Sequence, residues 1–384
     1  MINRVSRFPL GTLLFSVVLL GCGGTTASVG DGGTRTEGEG TAAVGEDGGM
    51  VVPSQGHTAT LLANGKVLVT GGGNVHWAPT NAAGLFDPAT NTWSPTARLN
   101  VERINHSSTL LADGRVLVVG GSNNQTPRIA GCEIYDPAKG AWTSTADLPV
   151  GRDLHQATLL TDGRVLITGG YDQNDAIDRA DVYDPATGAW TVAPPMATPR
   201  VFHSAVRLTD GNVLVTGGAS TYAPNADFLG SAELFDPIAN TWSATANLPT
   251  RRQHHAGELL PDGKVLIAGG RELQAGIVAT AYVYDPVAGM WHAVAPLSAP
   301  REEHLMVRLP GRGVLVASGL AYPEPLTAVE IFAADTLTWI RVNTAMPHCQ
   351  SSVTTLSDGK ILFAGGQDGK GQVVATWEVF DPIK

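Results

Sequence analysis

Charge, cysteine and aromatic side chains are all scarce in this sequence. The three cysteines, at 22, 132 and 349, are an odd and widely spaced set that signals neither a disulfide framework nor a zinc site. Charged residues make up 16% and sum to -10, with no run of Lys or Arg, so a polyanion is repelled on average and nucleic-acid binding is not expected. The longest apolar stretch, FPLGTLLFSVVLL at 8–20, falls short of the roughly 20 residues that cross a bilayer as a helix. What abounds is turn formers, 46 glycines and 24 prolines in a chain of 384 residues that is 43% hydrophobic. Such a chain can bury a large core, built from short strands and not from long helices.

The apolar stretch follows Arg4 and Arg7 and ends in Leu19-Leu20-Gly21-Cys22, the pattern of a secretory signal. Its end resembles the lipobox of bacterial lipoproteins. That resemblance implies a signal peptide over 1–21 and a lipidated Cys22; Gly23 in the next position, where inner-membrane retention uses aspartate, implies the outer membrane. Residues 22–49 form a glycine-rich tether with almost nothing to bury, and 50–384 form the folded domain.

Within that domain one phrase recurs: HTATLLANGKVLVTGG (57–72) returns as HSSTLLADGRVLVVGG (106–121), HQATLLTDGRVLITGG (155–170) and four further copies. The first positions of the Gly-Gly pairs (71, 120, 169, 217, 269, 318 and 365, with Ser318 in the sixth copy) are spaced by 49, 49, 48, 52, 49 and 47 residues, a period that means a propeller or an array. Asn-Gly or Asp-Gly in six of the copies supplies the positive φ of a tight hairpin. An unbroken apolar run comes next, as in a strand covered on both faces, and the glycine pair ends it. After a variable loop comes a strand closing on aromatic-Asp-Pro in six repeats, then Asn or Gly at the left-handed position of the turn, then a strand carrying Trp93, Trp142, Trp190, Trp242, Trp291 or Trp339. Four short antiparallel strands cannot cover both faces of a sheet, so each unit must pack on its neighbours.

Gly-Gly, a spaced aromatic and a tryptophan identify the region from residue 50 onward as similar to the kelch repeat. The resemblance implies an all-β, seven-bladed β-propeller of four-stranded antiparallel kelch blades. The sixth copy departs, with Ser318 for Gly and Ala333-Ala334 for Asp-Pro. The seventh stops at FDPIK without a tryptophan strand, so ring closure calls for a strand from 41–46.

Strand parity places the near-identical Asp-Gly and Asp-Pro turns on one face and the variable loops on the other, where binding belongs. Those loops carry Trp77, Arg128, Tyr171, Asp172, Tyr222, Arg271 and Tyr322. Amphipathic rings beside amides and charges suit recognition of an extracytoplasmic glycan or protein, unless the rings pack between blades. Histidine opens six of the seven inner strands (57, 106, 155, 203, 255 and 304), which points to a structural hydrogen bond, since positions spread round a wide ring do not converge on one metal ion. Arg103, Arg152, Arg200, Arg252 and Arg301 stand three residues before five of them, where guanidinium groups at a pore mouth would hold an anion or a carboxylate.

Enzymes with such repeats include copper oxidases similar to galactose oxidase and envelope sugar mutarotases. The copper site cannot be placed, because Tyr135, Tyr183 and Tyr284 occupy the repeat aromatic position and Cys132 a repeat strand. Carboxylates at the pore (Glu258 on an inner strand; Glu102, Asp153, Glu302 and Glu303 just before inner strands) keep a mutarotase as the alternative. The expectation is a monomeric, lipid-anchored binding protein with no cofactor, no metal and no catalysis.

Overall fold

A computed structural model describes residues 55–382 apart from 75, 77, 223–225, 322–323, 327, 343–349 and 369–371. Blade 1 is an antiparallel sheet of Thr58–Leu61, Val67–Thr70, Ala83–Asp87 and Thr92–Pro95 in chain order. Five more four-stranded sheets repeat it. The seventh has three described strands, Ser352–Thr355, Ile361–Ala364 and Trp377–Phe380. Each innermost strand packs against its neighbours, and the first closes on the seventh, where His57 Nε2 meets Ser352 Oγ at 2.9 Å and the Gln55 and Gln367 side chains bond. The chain is thus a seven-bladed β-propeller. The closing strand expected from 41–46 lies outside the described residues.

Each hairpin turn is set by its two residues. In the second blade Asp113 Oδ1 accepts the Arg115 amide at 3.0 Å, and Gly114 N bonds Leu111 O at 3.0 Å. Of the Asp-Gly pair only Gly114 has positive φ, 86°, so this is a type I turn followed by a left-handed glycine, not the two-residue hairpin the dipeptide suggests. At the other turn, Asp136 Oδ1 accepts the Ala138 amide at 3.0 Å while Gly140 takes φ 60°. The degenerate sixth copy forces Leu337 into that conformation at φ 56°.

The second strands are buried along their whole length, as their apolar runs imply. Within a blade, third-strand aromatics tilt against tryptophans of the fourth strands, as with Tyr135 and Trp142 at 5.0 Å. Five of those tryptophans donate Nε1 to a main-chain carbonyl of the preceding blade: Trp142 to Ala97, Trp190 to Ala146, Trp242 to Pro194, Trp291 to Ala246 and Trp339 to Ala295, at 2.6–2.9 Å. An indole buried against a neighbour thereby keeps its donor satisfied.

The glycine pairs and histidines explain one another. A Cβ on Gly71 would stand 2.6 Å from both Arg103 O and His106 Cε1 of the next blade, and on Gly269 2.7 Å from His304 Cε1. The imidazoles meanwhile reach hydroxyls, as His155 Nε2 with Ser107 Oγ at 2.8 Å. The one Gly-Gly pair that has Ser318 faces the one inner strand that opens with Ser351 instead of histidine, so the two irregular copies share a single cause. Where the imidazole is missing, a side chain has room.

Candidate functional site

The residue just before the first position of each inner strand holds a left-handed backbone in all seven blades: Gly56 (φ 61°), Asn105 (53°), Leu154 (54°), Phe202 (56°), His254 (53°), Glu303 (54°) and Gln350 (55°). Amides relay this conformation from blade to blade, Asn105 N to Gly56 O at 3.1 Å, His254 N to Phe202 O at 3.1 Å and Glu303 N to His254 O at 3.1 Å. The result is a collar of half-buried side chains around the loop-face mouth of the central channel. Left-handed Leu, Phe and Glu each cost on the order of 1–3 kcal/mol, a strain that rigid surroundings hold in place. The backbone is monotonous there and the side chains all differ.

One arc of the collar joins the loop residues in a continuous chain of contacts. Arg128 pairs with Asp153 at 3.1 Å and lies over the Tyr171 ring at 4.3 Å. Tyr171 meets Tyr222 at 4.6 Å, Tyr222 meets Phe202 at 5.6 Å, and Phe202 stacks on the His254 imidazole at 3.9 Å. His254 Nδ1 lies 3.7 Å from Glu303, whose other oxygen accepts from Gln350 Nε2 at 2.9 Å. Arg271 grips Glu302 with two bonds, at 2.8 and 2.5 Å.

Electrostatics follow burial. Desolvation lifts the Asp153 carboxyl to about 6 against the opposing pull of Arg128. Burial pushes the His254 imidazole below its usual value although Glu303 pulls the other way, so it is neutral at pH 7. Burial, then the Asp153 charge, raises the Tyr222 phenol.

Of the loop residues singled out in the sequence, Arg128, Tyr171 and Tyr222 lie in one chain of contacts, while Arg271 is held by Glu302. Asp172 is nearby in the chain but spends its carboxylate on the Asn174 and Asp175 amides of its own loop, at 2.7 and 3.0 Å. Trp77 and Tyr322 lie outside the described residues. The collar residues Asn105, Leu154, Phe202, His254 and Gln350 were missed; a position that differs in every copy of an otherwise uniform phrase was the available signal.

The expectation for the five arginines needs correction. Arg103, Arg152, Arg200, Arg252 and Arg301 are 0% exposed, and each guanidinium runs away from the channel across its own blade. Arg103 bonds Gly120 O (2.7 Å), Gly131 O (3.0 Å) and Glu133 on the third strand (2.7 Å). Arg152, Arg200 and Arg301 repeat this with Asp181, Glu233 and Glu330. Blade 5 has Tyr282 at the acidic position, so Arg252 lies over that ring and turns to Glu272 at 3.0 Å. No ligand reaches them without opening a blade.

Among the described residues no three His, Cys, Asp or Glu side chains are grouped to hold a metal. Burial drives the Cys132 thiol up to about 12, and Tyr135, Tyr183 and Tyr284 bond threonine hydroxyls at 2.5–2.6 Å, so these donors do not fit a copper centre. Of the other carboxylates considered, Glu303 is half-buried at the mouth, Asp153 and Glu302 are buried beside it in pairs with Arg128 and Arg271, Glu102 is exposed, and Glu258 stays on its inner strand accepting the Leu259 amide at 2.9 Å.

A family model, the KLHDC2/KLHL20/DRC7 Kelch-repeats domain, matches residues 56–247. The fold is similar to that of a copper-complexed fungal alcohol oxidase of the AA5 family (TM-score 0.66, 18% identity, 83% of this chain and 70% of that one). It is also similar to the structure of YjhT (TM-score 0.61, 17% identity, 77% of this chain and 99% of that one). Among curated proteins none matches the chain.

Proposed function

Since the chain belongs to the kelch-repeat family of β-propellers, we propose that it works as a binding protein of the bacterial envelope, held by lipid at Cys22, most fitly at the outer membrane, and recognising a glycan or protein segment as a monomer. The observation that carries this reading is the collar. Strain is retained at a rim where the side chains alone vary, beside a wall of Tyr171, Tyr222 and Phe202. An aromatic wall next to a carboxylate and an amide, Glu303 and Gln350, offers a sugar both a stacking surface and hydroxyl partners.

The anchor reading rests on the sequence before and after Cys22, and the stable attachment it implies needs at least two acyl chains. Metabolic palmitate labelling should mark the wild type and spare Cys22→Ser, which should become soluble. Unlabelled wild type would remove the anchor and leave the binding reading intact.

Purified protein on a glycan array, beside an envelope pull-down, tests the binding role: a ligand that Phe202→Ala weakens supports it, and one indifferent to all collar substitutions refutes it. One observation favours a second reading. Carboxylates gather at the same mouth, half-buried Glu303 beside buried Asp153 and Glu302, so accelerated anomer exchange with an aldose would make this a carbohydrate-active enzyme.

A further inference from the structure

The charges at the collar do not balance. Arg128 is spent on Asp153 at 3.1 Å and Arg271 on Glu302 at 2.5 Å, whereas Glu303 has no Lys or Arg partner among the described residues. Its two contacts are neutral. The Gln350 amide donates Nε2 at 2.9 Å, and the His254 imidazole, 3.7 Å away, is held uncharged by burial. Glu303 is also the half-buried one of the three carboxylates, while Asp153 and Glu302 are buried under their arginines. A partly desolvated negative charge that the protein does not compensate is an opening for a ligand that does.

A second acceptor beside it is short of a donor. Gln350 Oε1 is buried and has no hydrogen-bond partner among the described residues, and Nε2 of the same amide is committed to Glu303. Buried polar atoms are normally paired, so an orphaned oxygen at a channel mouth marks a place where a donor belongs. Carboxylate and amide oxygen together call for a positive charge that brings several donors. A primary ammonium has three N–H groups and the charge; a hydroxyl has one donor and none of the charge.

The aromatic wall suits the same group. Arg128 already lies over the Tyr171 ring at 4.3 Å, so the fold itself seats one cation there. Tyr222 and Phe202 continue the wall at centroid steps of 4.6 and 5.6 Å. Burial chiefly raises the Tyr222 phenol and the Glu303 charge adds to it, which puts that carboxylate within electrical reach of the wall. A lysine ammonium needs one ring, whereas two adjoining rings suit the apolar faces of consecutive sugar units. The net charge of -10 draws a cation from a distance, and an anion finds both guanidinium groups of the arc already occupied.

We propose that the ligand of the collar is an amino-sugar glycan whose free, protonated amine docks between Glu303 and Gln350 Oε1 while its sugar rings lie on Phe202 and Tyr222. This deepens the glycan side of the binding reading and rests on it. N-acetylation removes the charge and two of the three donors, so acetylation state is the feature that the site reads.

Titration calorimetry tests it on the full chain carrying Cys22→Ser, at about pH 6.5, below the usual range of an α-amine. The probes are a glucosamine tetramer with free amines, its fully N-acetylated counterpart and a trilysine peptide with blocked ends. The free-amine tetramer should bind at least about tenfold more tightly than the acetylated one, and Glu303→Gln should shrink that ratio to about twofold or less. Phe202→Ala should weaken the free-amine tetramer as well. An acetylated tetramer bound as tightly as the free amine overturns the inference and leaves a neutral-glycan site. A preference for trilysine overturns it in favour of a protein ligand. Binding of none of the three also overturns it, and the glycan array then judges the wider reading separately.

Discussion

Replacing Arg103 by Met separates a structural arginine from a ligand-binding one. The side chain is 0% exposed, its partner Glu133 is 2% exposed, and the pair meet at 2.7 Å while Nη1 also bonds two carbonyls. Methionine fills much of the volume but leaves Glu133 charged and buried, a loss of about 3–5 kcal/mol. With an unfolding entropy of about 2.1 cal/mol/K per residue over roughly 330 residues, a slope of about 0.7 kcal/mol/K, the melting temperature should drop by about 4–7 °C. Adding Glu133→Gln removes the stranded charge and keeps one acceptor oxygen, enough for the Asn100 amide that bonds Oε2 at 2.6 Å, while its NH2 group replaces the oxygen that the Val101 amide bonds at 3.2 Å. The double variant should therefore recover part of the loss. Differential scanning calorimetry of wild type, single and double variants decides the matter. A single variant that melts within about 1 °C of wild type, or a double variant worse than the single, would refute the reasoning.

Asp153 gives a pH signature. Its carboxyl sits at about 6 in the fold, above the ordinary 3.8, so the native state binds the proton more tightly than the unfolded chain, and stability from this group rises as pH falls from about 7 to about 4, by up to about 3 kcal/mol. Urea unfolding at pH 4.5 and 7.5 should show about 2 kcal/mol of that increment in wild type and lose it in Asp153→Asn; an equal pH dependence in the two would contradict the burial argument. Ser351→His should cost about 1–3 kcal/mol by driving an imidazole against the Ser318 side chain, and Ser318→Gly should relieve it, as melting temperatures will show. Gly114→Val should cost about 1–2 kcal/mol from φ 86° alone, since nothing stands within 4 Å of a Cβ there, with ligand binding unchanged.

The architecture was legible because each blade restates the same physical needs: glycine where φ is positive, an apolar run where both faces are covered, an aromatic and a tryptophan where blades meet. The faces followed from strand parity alone. The arginines were misread because their partners lie in the third strand, roughly thirty residues on. Yet Glu133, Asp181, Glu233 and Glu330 recur two places before the aromatic in four of the five blades that have the arginine, and that shared pattern was in the sequence. The collar was harder to see. Left-handed Leu154, Phe202 and Glu303 have no propensity for that backbone, which is imposed by the amide relay between blades. Likewise the stacking of Phe202 on His254 depends on two residues 52 positions apart meeting only once the ring is formed.

The central claim is that recognition happens at the collar and not on the turn face. Ile238 and Val287, 95% and 97% exposed in the Asp-Pro turns, are the strongest apolar features of that opposite face. Titration calorimetry with the glycan or envelope protein recovered by the full chain should therefore show Phe202→Ala and Tyr222→Ala weakening binding by about tenfold or more, and Ile238→Ser with Val287→Ser leaving it within about twofold. Binding that survives both collar substitutions and is lost with the two turn substitutions would contradict the account.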